Sequence, residues 1–568
     1  MALATLLWPT VACSGVSQQW TGPAGVEESW DEPLNWSGGG PALLDGVEIC
    51  NGGIAVSTNT IPELSFLTIG FQYPIPPYCE GHLRCSDTDL TAPNFRLAFT
   101  LDGNATGSLH LTNGSLLIGE DPLGLTCGLV LSSGNAAGWI SITNGNLEAQ
   151  GMYVGSAQDG VDSAGLALSA SGYLAVEGAS AVVESKPTAY TSGYLIGCAG
   201  GLGYASSITA TGSMSVSGNR LISPEYIEVG AVNASIGADV EACGDLAFYG
   251  TSTSAVLQTD WFNFGHVYAH GAFDGFARAV SSADISNAQI IGDDFDIGTA
   301  YAEIGTGTVQ VGSNVSLDNC ALHTDRITVG YLSAVSSPAE GLSLCQIDAF
   351  LDVHNSTVHV EDELCIGLEH VGDAWTNISA AVSGRLRSSS SLLTSGALEC
   401  GIGSVLIFDI DGAQRGSGYG AIDTGSVQLA GAVEIRFSHS PSPGDIFDVI
   451  RMTSPTGSVD GVFSQVLITG VESSKVLAAW MVDSSGREVF RIIYQPAAVF
   501  VSAGINAGMP VFGISQLLPG IRYLLERRTL TSGGWETAEQ FIADHHTIEV
   551  QPSIQGAGQF ASYRLRKE

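Results

Sequence analysis

Hydrophobic residues alternate with polar ones in short runs along most of the chain, and many runs end at Asn or Gly. In GSLHLTNGSLLIGE (107–120), alternation places Leu109 and Leu111 on one face, and Asn113-Gly114 follows. A loose copy, GWISITNGNLEAQGMYVG, occupies 138–155. Period-two alternation is typical of half-buried strands, and Asn and Gly adopt the positive φ that sharp corners need. Each run therefore predicts a strand, a corner and a second strand.

A phrase that ends in glycine after an apolar residue recurs at intervals of 32 to 42 residues. Its members end at Gly119, Gly155, Gly197, Gly230, Gly265, Gly298, Gly330, Gly367 and Gly403. A unit of this size cannot bury its own apolar face, so neighbouring units must stack. The repeat predicts an all-β, Gly-rich, right-handed β-helix or solenoid, with about 4.8 Å between coils.

Two alternatives stay open at this point. One period could form one large coil or two small ones. A β-propeller has blades of similar length, but each blade needs four well-marked strands. The repeat shows two or three strands, which favours the solenoid.

Composition and charge narrow the class of protein. Gly accounts for 72 of 568 residues, and 45% of residues are hydrophobic while 14% are charged, which favours short strands and tight turns over long helices. The net charge is −37, with 20 basic against 57 acidic residues. Because nucleic-acid binding depends on Lys and Arg, this balance excludes it. No cofactor is expected, and Ca²⁺ is the one ion that the acidic surface could attract.

The N-terminus is similar to a secretory leader. A short apolar stretch, Ala2 to Ala12, is followed by small residues, although the usual preceding Lys or Arg is missing. Cleavage would make the protein secreted, and Cys13 offers the alternative of a lipid anchor. No later segment has 18 uninterrupted apolar residues, so no transmembrane segment is predicted.

Ten cysteines follow the leader, an even number that is compatible with disulfides. Cys79 and Cys85, in the Pro-rich stretch YPIPPYCEGHLRCSD, predict a local disulfide. The others lie singly in apolar runs, where buried thiols are expected. None of the spacings is typical of a zinc site, and no metal ligands are predicted.

Both ends of the chain resemble a known group of proteins. At the N-terminal end the matching residues are Trp20, Gly22, Trp30, Asn35, Trp36, Pro41, Asp45, Val47 and Ile49. This pattern resembles the opening of large secreted repeat proteins of planctomycetes and verrucomicrobia, of the autotransporter-like or PEP-CTERM type. Segments 406–437 and 523–568 are similar to their solenoid-ending segment and small C-terminal β-module. The resemblance implies a surface protein, although no membrane barrel or apolar anchor is predicted after residue 450.

Five regions follow from these patterns. They are a leader (1–15), a Trp-rich N-terminal cap with the first strands (16–105), the solenoid repeats (106–437), a solenoid-ending β region (438–505) and a small, β-sandwich-like C-terminal module (506–568). The end regions differ from the middle because terminal coils need capping.

The densest acidic cluster is IGDDFDIG, with Asp293, Asp294 and Asp296. Asp294 and Asp296 would share a strand face, and carboxyl groups about 6.5–9.5 Å apart hydrolyse glycosidic bonds with inversion. The Gly-His-Gly and basic triad expected of such an enzyme are absent, since NFGHVYAHG lacks the second Gly after His266. These aspartates are the only catalytic candidates, and an acidic turn or a Ca²⁺ site is the alternative.

Three functional hypotheses result. The first is a secreted, elongated, non-catalytic solenoid that acts as a structural or adhesive component of a bacterial surface or matrix, with extracellular polysaccharide or copies of itself as partner. The second is a polysaccharide lyase or hydrolase on a β-helix. The third is a carbohydrate-binding terminal module, with Trp535 as a stacking platform. Carboxylates that converge in a groove with basic residues would favour the enzyme.

Overall fold

The protein is all-β, and parallel coils stack into a β-solenoid of about 12 turns, as the repeat predicts. The computed structural model describes residues 16–567 except 72–77, 120–123, 160–165, 185–192, 202–204, 224, 236, 238, 253, 305, 337–342, 372–377, 496–498, 507–508, 519–520, 530–534, 546 and 553–560. The proposed leader and Cys13 lie outside the described residues. Within the described part, no helix is long and apolar enough to span a membrane.

The strands of the first coils are short or bend between faces. They are β1 Ser17–Gln19, β2 Glu27–Ser29, β3 Gly46–Ile49, β4 Asn51–Ser57, β5 Phe66–Ile69, β6 Tyr78–Ser86, β7 Leu90–Ala92, β8 Phe95–Thr112, β9 Leu116–Ile118, β10 Leu125–Thr143, β11 Leu147–Glu148, β12 Met152–Gln158, β13 Ala167–Glu177, β14 Val182–Glu184, β15 Tyr194–Ile196 and β16 Ala199–Gly201. A 3₁₀ turn, Pro33–Asn35, lies between β2 and β3.

The middle coils have longer strands. They are β17 Ser207–Gly218, β18 Arg220–Ile222, β19 Tyr226–Val229, β20 Val232–Ala234, β21 Asp239–Gly250, β22 Ala255–Gln258, β23 Trp261–Phe273, β24 Phe276–Ser286, β25 Ala288–Ile291, β26 Asp294–Ile304, β27 Thr308–Asp318, β28 Ala321–Ser336, β29 Ser343–His354, β30 Thr357–Val371, β31 Ile378–Ser389, β32 Leu392–Cys400 and β33 Ser404–Ile410.

The remaining strands follow residue 420. They are β34 Ala421–Leu429, β35 Ala432–Phe437, β36 Ile446–Met452, β37 Val459–Gly461, β38 Gln465–Thr469, β39 Val476–Val482, β40 Glu488–Tyr494, β41 Val499–Asn506, β42 Met509–Ser515, β43 Arg522–Thr529, β44 Glu536–Ile542, β45 Thr547–Val550 and β46 Ala561–Lys567. A second 3₁₀ turn, Ser473–Lys475, precedes β39.

One sequence repeat forms one coil with three faces. Face A contains β6, the second parts of β8 and β10, then β13, β17, β21, β24, β27 and β29. Face B contains β7, β9, β11, β14, β18, β22, β25 and the starts of β28 and β30. Face C contains β5, the first parts of β8 and β10, then β12, β15–β16, β19–β20, β23, β26 and the ends of β28 and β30. Ile140 pairs with Leu174 and Leu174 with Met214, all in parallel, so each period is a single coil.

The predicted corner after face A is confirmed. Leu109 and Leu111 are buried. Asn113 and Asn144 have φ of 54° and 55°, the left-handed conformation that Asn tolerates better than most residues. The Asn144 amide donates to Asn113 Oδ1 at 3.2 Å, and the Asn113 amide donates to Asp87 at 3.0 Å. The corners therefore stack through side-chain hydrogen bonds as well as through strand pairing.

A second column of left-handed residues bends face C in the middle. Its members are Gly70, Ala98, Gly128, Gly155, Gly197, Gly230, Gly265, Gly298, Gly330 and Gly367, with φ between 50° and 75°. Seven of these positions are predicted from the sequence repeat. The prediction for Gly119 is wrong. Gly119 directly follows β9 on face B, and the bend of face C that comes next along the chain lies at Gly128. The prediction for Gly403 is also wrong. At the other bends the glycine amide donates to the carbonyl of the residue that precedes the bend glycine of the previous coil, and in this coil the Gly401 amide makes that bond, to Ile366 O.

Face A carries a matching column of small residues opposite this bend. The paired positions are Gly81, Gly107, Gly138, Gly172, Gly212, Gly244, Ser281, Ser313 and Ala349. A Cβ on Gly172 would overlap the backbone of Cys127 and Gly155, and one on Gly155 would overlap Thr211 O. Faces A and C therefore touch backbone to backbone here, and we call this narrowing the waist.

The waist divides the core into two lobes. One lobe is lined mostly by alanine and valine, including Ala157, Ala210 and Val240. The other holds larger side chains, among them Phe262, Phe264 and Phe295, whose ring centroids lie 5.1 to 6.2 Å apart. Small residues at the waist thus bring the two backbones together, and larger ones fill the wider lobe.

The N-terminal region forms the first coil. β1 and β2 pair in parallel with β3 and β4. Trp20, Trp30 and Trp36 are buried, and the Trp36 ring lies 4.9 Å from Trp20 and 4.7 Å from Trp30, edge to face. The Trp36 indole N–H donates to Trp30 O at 2.7 Å. The three tryptophans thus pack as a compact cluster in this coil.

The predicted Cys79–Cys85 disulfide is wrong. Both residues lie on β6, where an extended strand separates them by about 20 Å. Cys79 instead forms a disulfide with Cys50 on the preceding coil, with 5.1 Å between their Cα atoms. Cys85 is a buried free thiol, and burial raises its pKa to about 12.

The chain divides into two compact units, one of residues 1–386 with 399–405 and one of 387–398 with 406–568. In the second unit, parallel pairing (β34 with β36 and β37, β35 with β38) gives way to antiparallel pairing of β40 with β36 and β39. The buried Asp423 carboxylate receives bidentate hydrogen bonds from Arg415 and Arg451, at 2.7 to 3.2 Å. Arg491 binds Asp448 in the same manner.

Two three-stranded antiparallel sheets follow in the second unit, β41-β42-β45 and β44-β43-β46. Their side chains share a small core that includes Phe512, Ile514, Tyr523 and Leu525. The sequence predicts a small C-terminal β-module here, and its first strand, β41, begins at Val499, before the predicted boundary at residue 506.

Candidate functional site: two grooves at the waist

The waist indents the outer surface of face A between residues 82 and 213. The cavity there has a volume of about 360 Å³. Its floor consists of small side chains in paired positions on four coils, Thr106, Ala137, Ser171 and Thr211. We call this cavity groove A.

Two aromatic side chains stand beside the floor of groove A. Trp139 and Tyr173 are directly paired on neighbouring coils, and their ring centroids are 4.3 Å apart. Trp139 is 50% exposed. The two rings, tilted by 38° to each other, form an aromatic wall beside a floor of small side chains, and the exposed surface of the cavity is mostly apolar. Aromatic walls of this kind occur in small-molecule and sugar sites.

The lining of groove A is nearly uncharged. Among the described residues that line it, none is Asp, Glu, Lys or Arg. His82 lies at one end, where Nδ1 is 2.7 Å from Ser108 Oγ and Nε2 is 3.1 Å from Glu80. The Ser108 hydroxyl is bonded to His82 and the Ser171 hydroxyl to Ala136 O, and the hydroxyl groups of Thr106 and Thr211 also lie on the floor. Because the exposed surface of the lining is otherwise mostly apolar, the groove suits a neutral ligand with an apolar face.

The bend of face C produces a second indentation on the other side of the waist. Outward-pointing residues after the bend are buried there, with Ser156 at 0%, Thr299 at 1% and His266 at 5% exposure. Before the bend, the outward column runs Glu228, Asn263, Asp296, Thr328 and Cys365 on successive coils. We call this indentation groove C.

Groove C holds two carboxyl groups with perturbed protonation. Burial raises the pKa of Glu228 to about 7, against a weaker opposing effect of the hydrogen bond from Asn263. Burial also raises the pKa of Asp296, while the Thr328 hydroxyl and the Arg326 charge oppose that rise. Glu228 and Asp296 are two rungs apart, about 10 Å between Cα atoms.

Aromatic residues form the other wall of groove C. Tyr268 and Tyr301 are stacked at 5.4 Å, and Tyr331, which lies in the column of His266 and Thr299, is tilted against Tyr301 at 5.6 Å. Burial raises the pKa of Tyr268, and the nearby charges of Glu228 and Asp296 add to the effect. The tyrosine row and the carboxyl pair therefore face the same space.

His266 lies at the base of this wall. Its Nδ1 is 2.6 Å from Thr299 Oγ1, and its ring is 4.2 Å from Tyr268. Its Nε2 has no hydrogen-bond partner among the described residues. Because burial lowers the pKa of His266 to about 3, the imidazole is neutral at ordinary pH. This nitrogen is therefore both unpaired and buried beneath the tyrosine wall.

The three aspartates predicted from the sequence do not act as one cluster. Asp294 and Asp296 share the outward face of β26, as predicted, but Asp293 is exposed at the corner between faces B and C. Asp294 forms an ion pair with Arg326 at 3.1 Å, which neutralises it. Asp296 is therefore the candidate that remains in the groove, and its counterpart is Glu228.

Sequence reasoning missed Glu228, Trp139 and Tyr173. A signal for Glu228 was present, because Glu228 and Asp296 each stand two residues before a bend glycine, Gly230 and Gly298. Trp535, proposed as a stacking platform, has the Arg564 guanidinium 4.3 Å from its ring centroid. One ring face of Trp535 is therefore occupied.

In comparisons with known proteins, no family model, curated protein or solved structure matches the chain.

Proposed function

We propose that this protein is a secreted β-solenoid of a cell surface or matrix, and that it adheres to neutral polysaccharide through groove A. The observation that supports this most directly is the exposed Trp139 ring, packed against Tyr173 beside a floor of small side chains, three of which carry a hydroxyl group. Sugar rings have an apolar face that packs on aromatic rings and an edge of hydroxyl groups that needs hydrogen-bond partners.

Charge selects the class of polysaccharide. The net charge of −37 opposes the approach of anionic polymers, and groove A has no cationic side chain among its described lining residues to offset that repulsion. A neutral glycan avoids the penalty. Binding should therefore depend little on ionic strength, because charge pairs contribute little to it.

Two observations are consistent with secretion and adhesion. The Cys50–Cys79 disulfide fits an oxidising compartment. The stacked coils present the same outward columns again and again, which suits a polymer that repeats along its own length.

Retention on immobilised neutral polysaccharides tests the proposal. In affinity electrophoresis through xylan, mannan or β-glucan, the wild-type protein should be retarded by at least one of them. Trp139→Ala should weaken that binding about tenfold or more, as loss of an exposed aromatic anchor does. Tyr249→Ala is the matched control, since Tyr249 is an exposed aromatic residue on face A outside the cavity. Equal retardation of wild type and Trp139→Ala would refute the role of groove A.

Groove C supports a second candidate function, hydrolysis of a polysaccharide that enters groove C itself. The specific observation is the pair Glu228 and Asp296, two partly desolvated carboxyl groups two rungs apart beside a row of tyrosines. With a pKa of about 7, Glu228 can hold a proton near neutral pH and act as general acid. Asp296, with Arg326 nearby, would then activate water from the other side of the bond.

Release of reducing ends from the same polysaccharides tests hydrolysis. Glu228→Gln and Asp296→Asn should each abolish it, while Asp293→Asn should leave it unchanged because Asp293 points away to the corner. If no reducing ends appear with wild-type protein that binds the polymer, groove C is not hydrolytic and the adhesive function stands alone.

A further inference from the structure

A separate cluster of potential ligands lies on the outer surface of face B, away from both grooves. His323 on β28 and His359 on β30 are directly paired on neighbouring coils. Their rings are nearly parallel, 13° apart, with centroids separated by 5.0 Å. Glu361 follows His359 by two residues, so its side chain points to the same side of the strand.

The donor atoms of this cluster converge. His323 Nε2 lies 3.3 Å from Glu361 Oε1. One donor atom from each of the three residues fits within 4.8 Å of the other two, and all three residues are exposed. Ligands of a tetrahedral metal ion lie about 3.3 Å from one another, so small side-chain rotations suffice to close the site. The paired backbones of the two strands hold the ligands in place, which keeps the entropic cost of binding low.

We propose that His323, His359 and Glu361 form a binding site for a divalent transition-metal ion such as Zn²⁺. Two imidazole nitrogens and one carboxylate match the ligand preference of Zn²⁺, Ni²⁺ and Cu²⁺, whereas Ca²⁺ and Mg²⁺ prefer oxygen ligands alone. Three protein ligands leave at least one coordination position open to water or to another ligand. The acidic residues Asp325 and Asp362, adjacent in sequence to this corner, add a favourable negative potential.

This site has different ligands from the Ca²⁺ binding that the acidic composition of the chain predicts. The exposed donors need no desolvation of a buried charge, and the nearest guanidinium in sequence, Arg326, is already paired with Asp294 at 3.1 Å. The site also does not depend on the proposed function, since none of its residues lines groove A or groove C.

Calorimetric titration of metal-free protein with ZnCl₂, in separate arms with CaCl₂ and MgCl₂, tests the proposal. We expect one equivalent of Zn²⁺ to bind and Ca²⁺ and Mg²⁺ not to compete at tenfold higher concentration. His323→Ala and His359→Ala should each weaken Zn²⁺ binding more than tenfold, and the double variant should abolish it. His354→Ala is the matched control, because His354 is an exposed histidine of the coil that carries His359 and lies outside the cluster. Circular dichroism checks that the variants fold.

Substitution with Co²⁺ reports the coordination sphere. Wild-type protein should show visible d–d absorption of a four- or five-coordinate site, and the double variant should not. Zn²⁺ binding that survives in the double variant, or the absence of any Zn²⁺ binding by wild type, would overturn the proposal.

Discussion

Groove A and groove C arise from the same waist but have opposite chemistry. Groove A combines the exposed Trp139 ring, packed at a tilt against Tyr173, with small side chains and has no carboxylate among its described lining residues. Groove C contains two half-buried carboxyl groups and a buried histidine with an unpaired nitrogen beside a tyrosine row. The first arrangement is suited to holding a neutral ligand, and the second also to exchanging protons with one.

In this repeat protein, inward-pointing positions determine the architecture and outward-pointing positions determine the chemistry of the surface. Inward positions are constrained by the waist, where even a methyl group on Gly155 or Gly172 would overlap backbone atoms. Outward positions before the bend of face C carry no such constraint, so each coil can place a different side chain at the same point of the groove. The column that holds Glu228 in one coil holds Asn263, Asp296 and Thr328 in the next three.

The largest expected effect comes from filling the waist itself. Gly172→Ala would force a methyl group against Cys127 O and Gly155 N. We expect a loss of about 3 kcal/mol or more in the free energy of unfolding, because backbone overlap cannot be relieved by a rotamer change. Denaturant unfolding measures it. Gly312→Ala is the control, since a Cβ there meets no atom within 4 Å, and it should change stability by less than about 0.5 kcal/mol. Equal losses in the free energy of unfolding for the two variants would contradict the backbone contact between faces A and C at the waist.

A smaller effect, confined to groove C, comes from Glu228→Gln. Because the pKa of Glu228 is raised from 4.5 to about 7, the folded protein retains a proton that the unfolded chain releases. Stability conferred by this group is therefore present below pH 4.5 and is lost as the pH rises through 7. We expect the variant to be more stable than wild type by about 2 kcal/mol at pH 8, and equal to it at pH 4.

Thermal unfolding across this pH range, with Asp293→Asn as control, measures the difference. Parallel pH profiles for wild type and Glu228→Gln would mean that Glu228 is solvated like a surface carboxylate. Polysaccharide binding in groove A should be the same in both proteins, which separates the two grooves.

The smallest effect on stability is expected from Ser171→Trp in groove A. Ser171 is exposed on the cavity floor, so an indole there should change stability by less than about 0.5 kcal/mol. The same indole fills the space beside Trp139 and should abolish polysaccharide retention. Ser169→Trp, one outward position away and outside the cavity lining, should retain binding. If Ser171→Trp binds as wild type does, the ligand site is elsewhere.

Much of the fold could be predicted from local pattern, and the errors have a common cause. The strand at Leu109–Leu111 and the corner at Asn113 follow from period two and from positive φ, which are properties of neighbouring residues. Gly119 was misplaced because its phrase is locally the same as those that end at the face C bend. The local sequence pattern, over a few residues, does not indicate which face of the coil a strand occupies.

The candidate sites were harder to predict for the same reason. Glu228 and Asp296 could have been matched through the bend glycines that follow them. His323 and His359 are harder to match in this way, because the pairing of β28 with β30 shifts register between Thr324 and Arg326. The disulfide was assigned within one strand, although the partner of Cys79 lies 29 residues earlier on the neighbouring coil.

The sequence by itself determined that the chain is all-β, that its units repeat and stack, and that its surface is acidic, since each depends on composition or on spacing along the chain. Only the tertiary structure decided that one repeat is one coil, that a waist indents two faces, and that Glu228, Asp296 and His266 are desolvated. Desolvation depends on atoms contributed by several coils at once. The phrase GSLHLTNGSLLIGE encodes its own strands and corner, but not the neighbours that give a groove its chemistry.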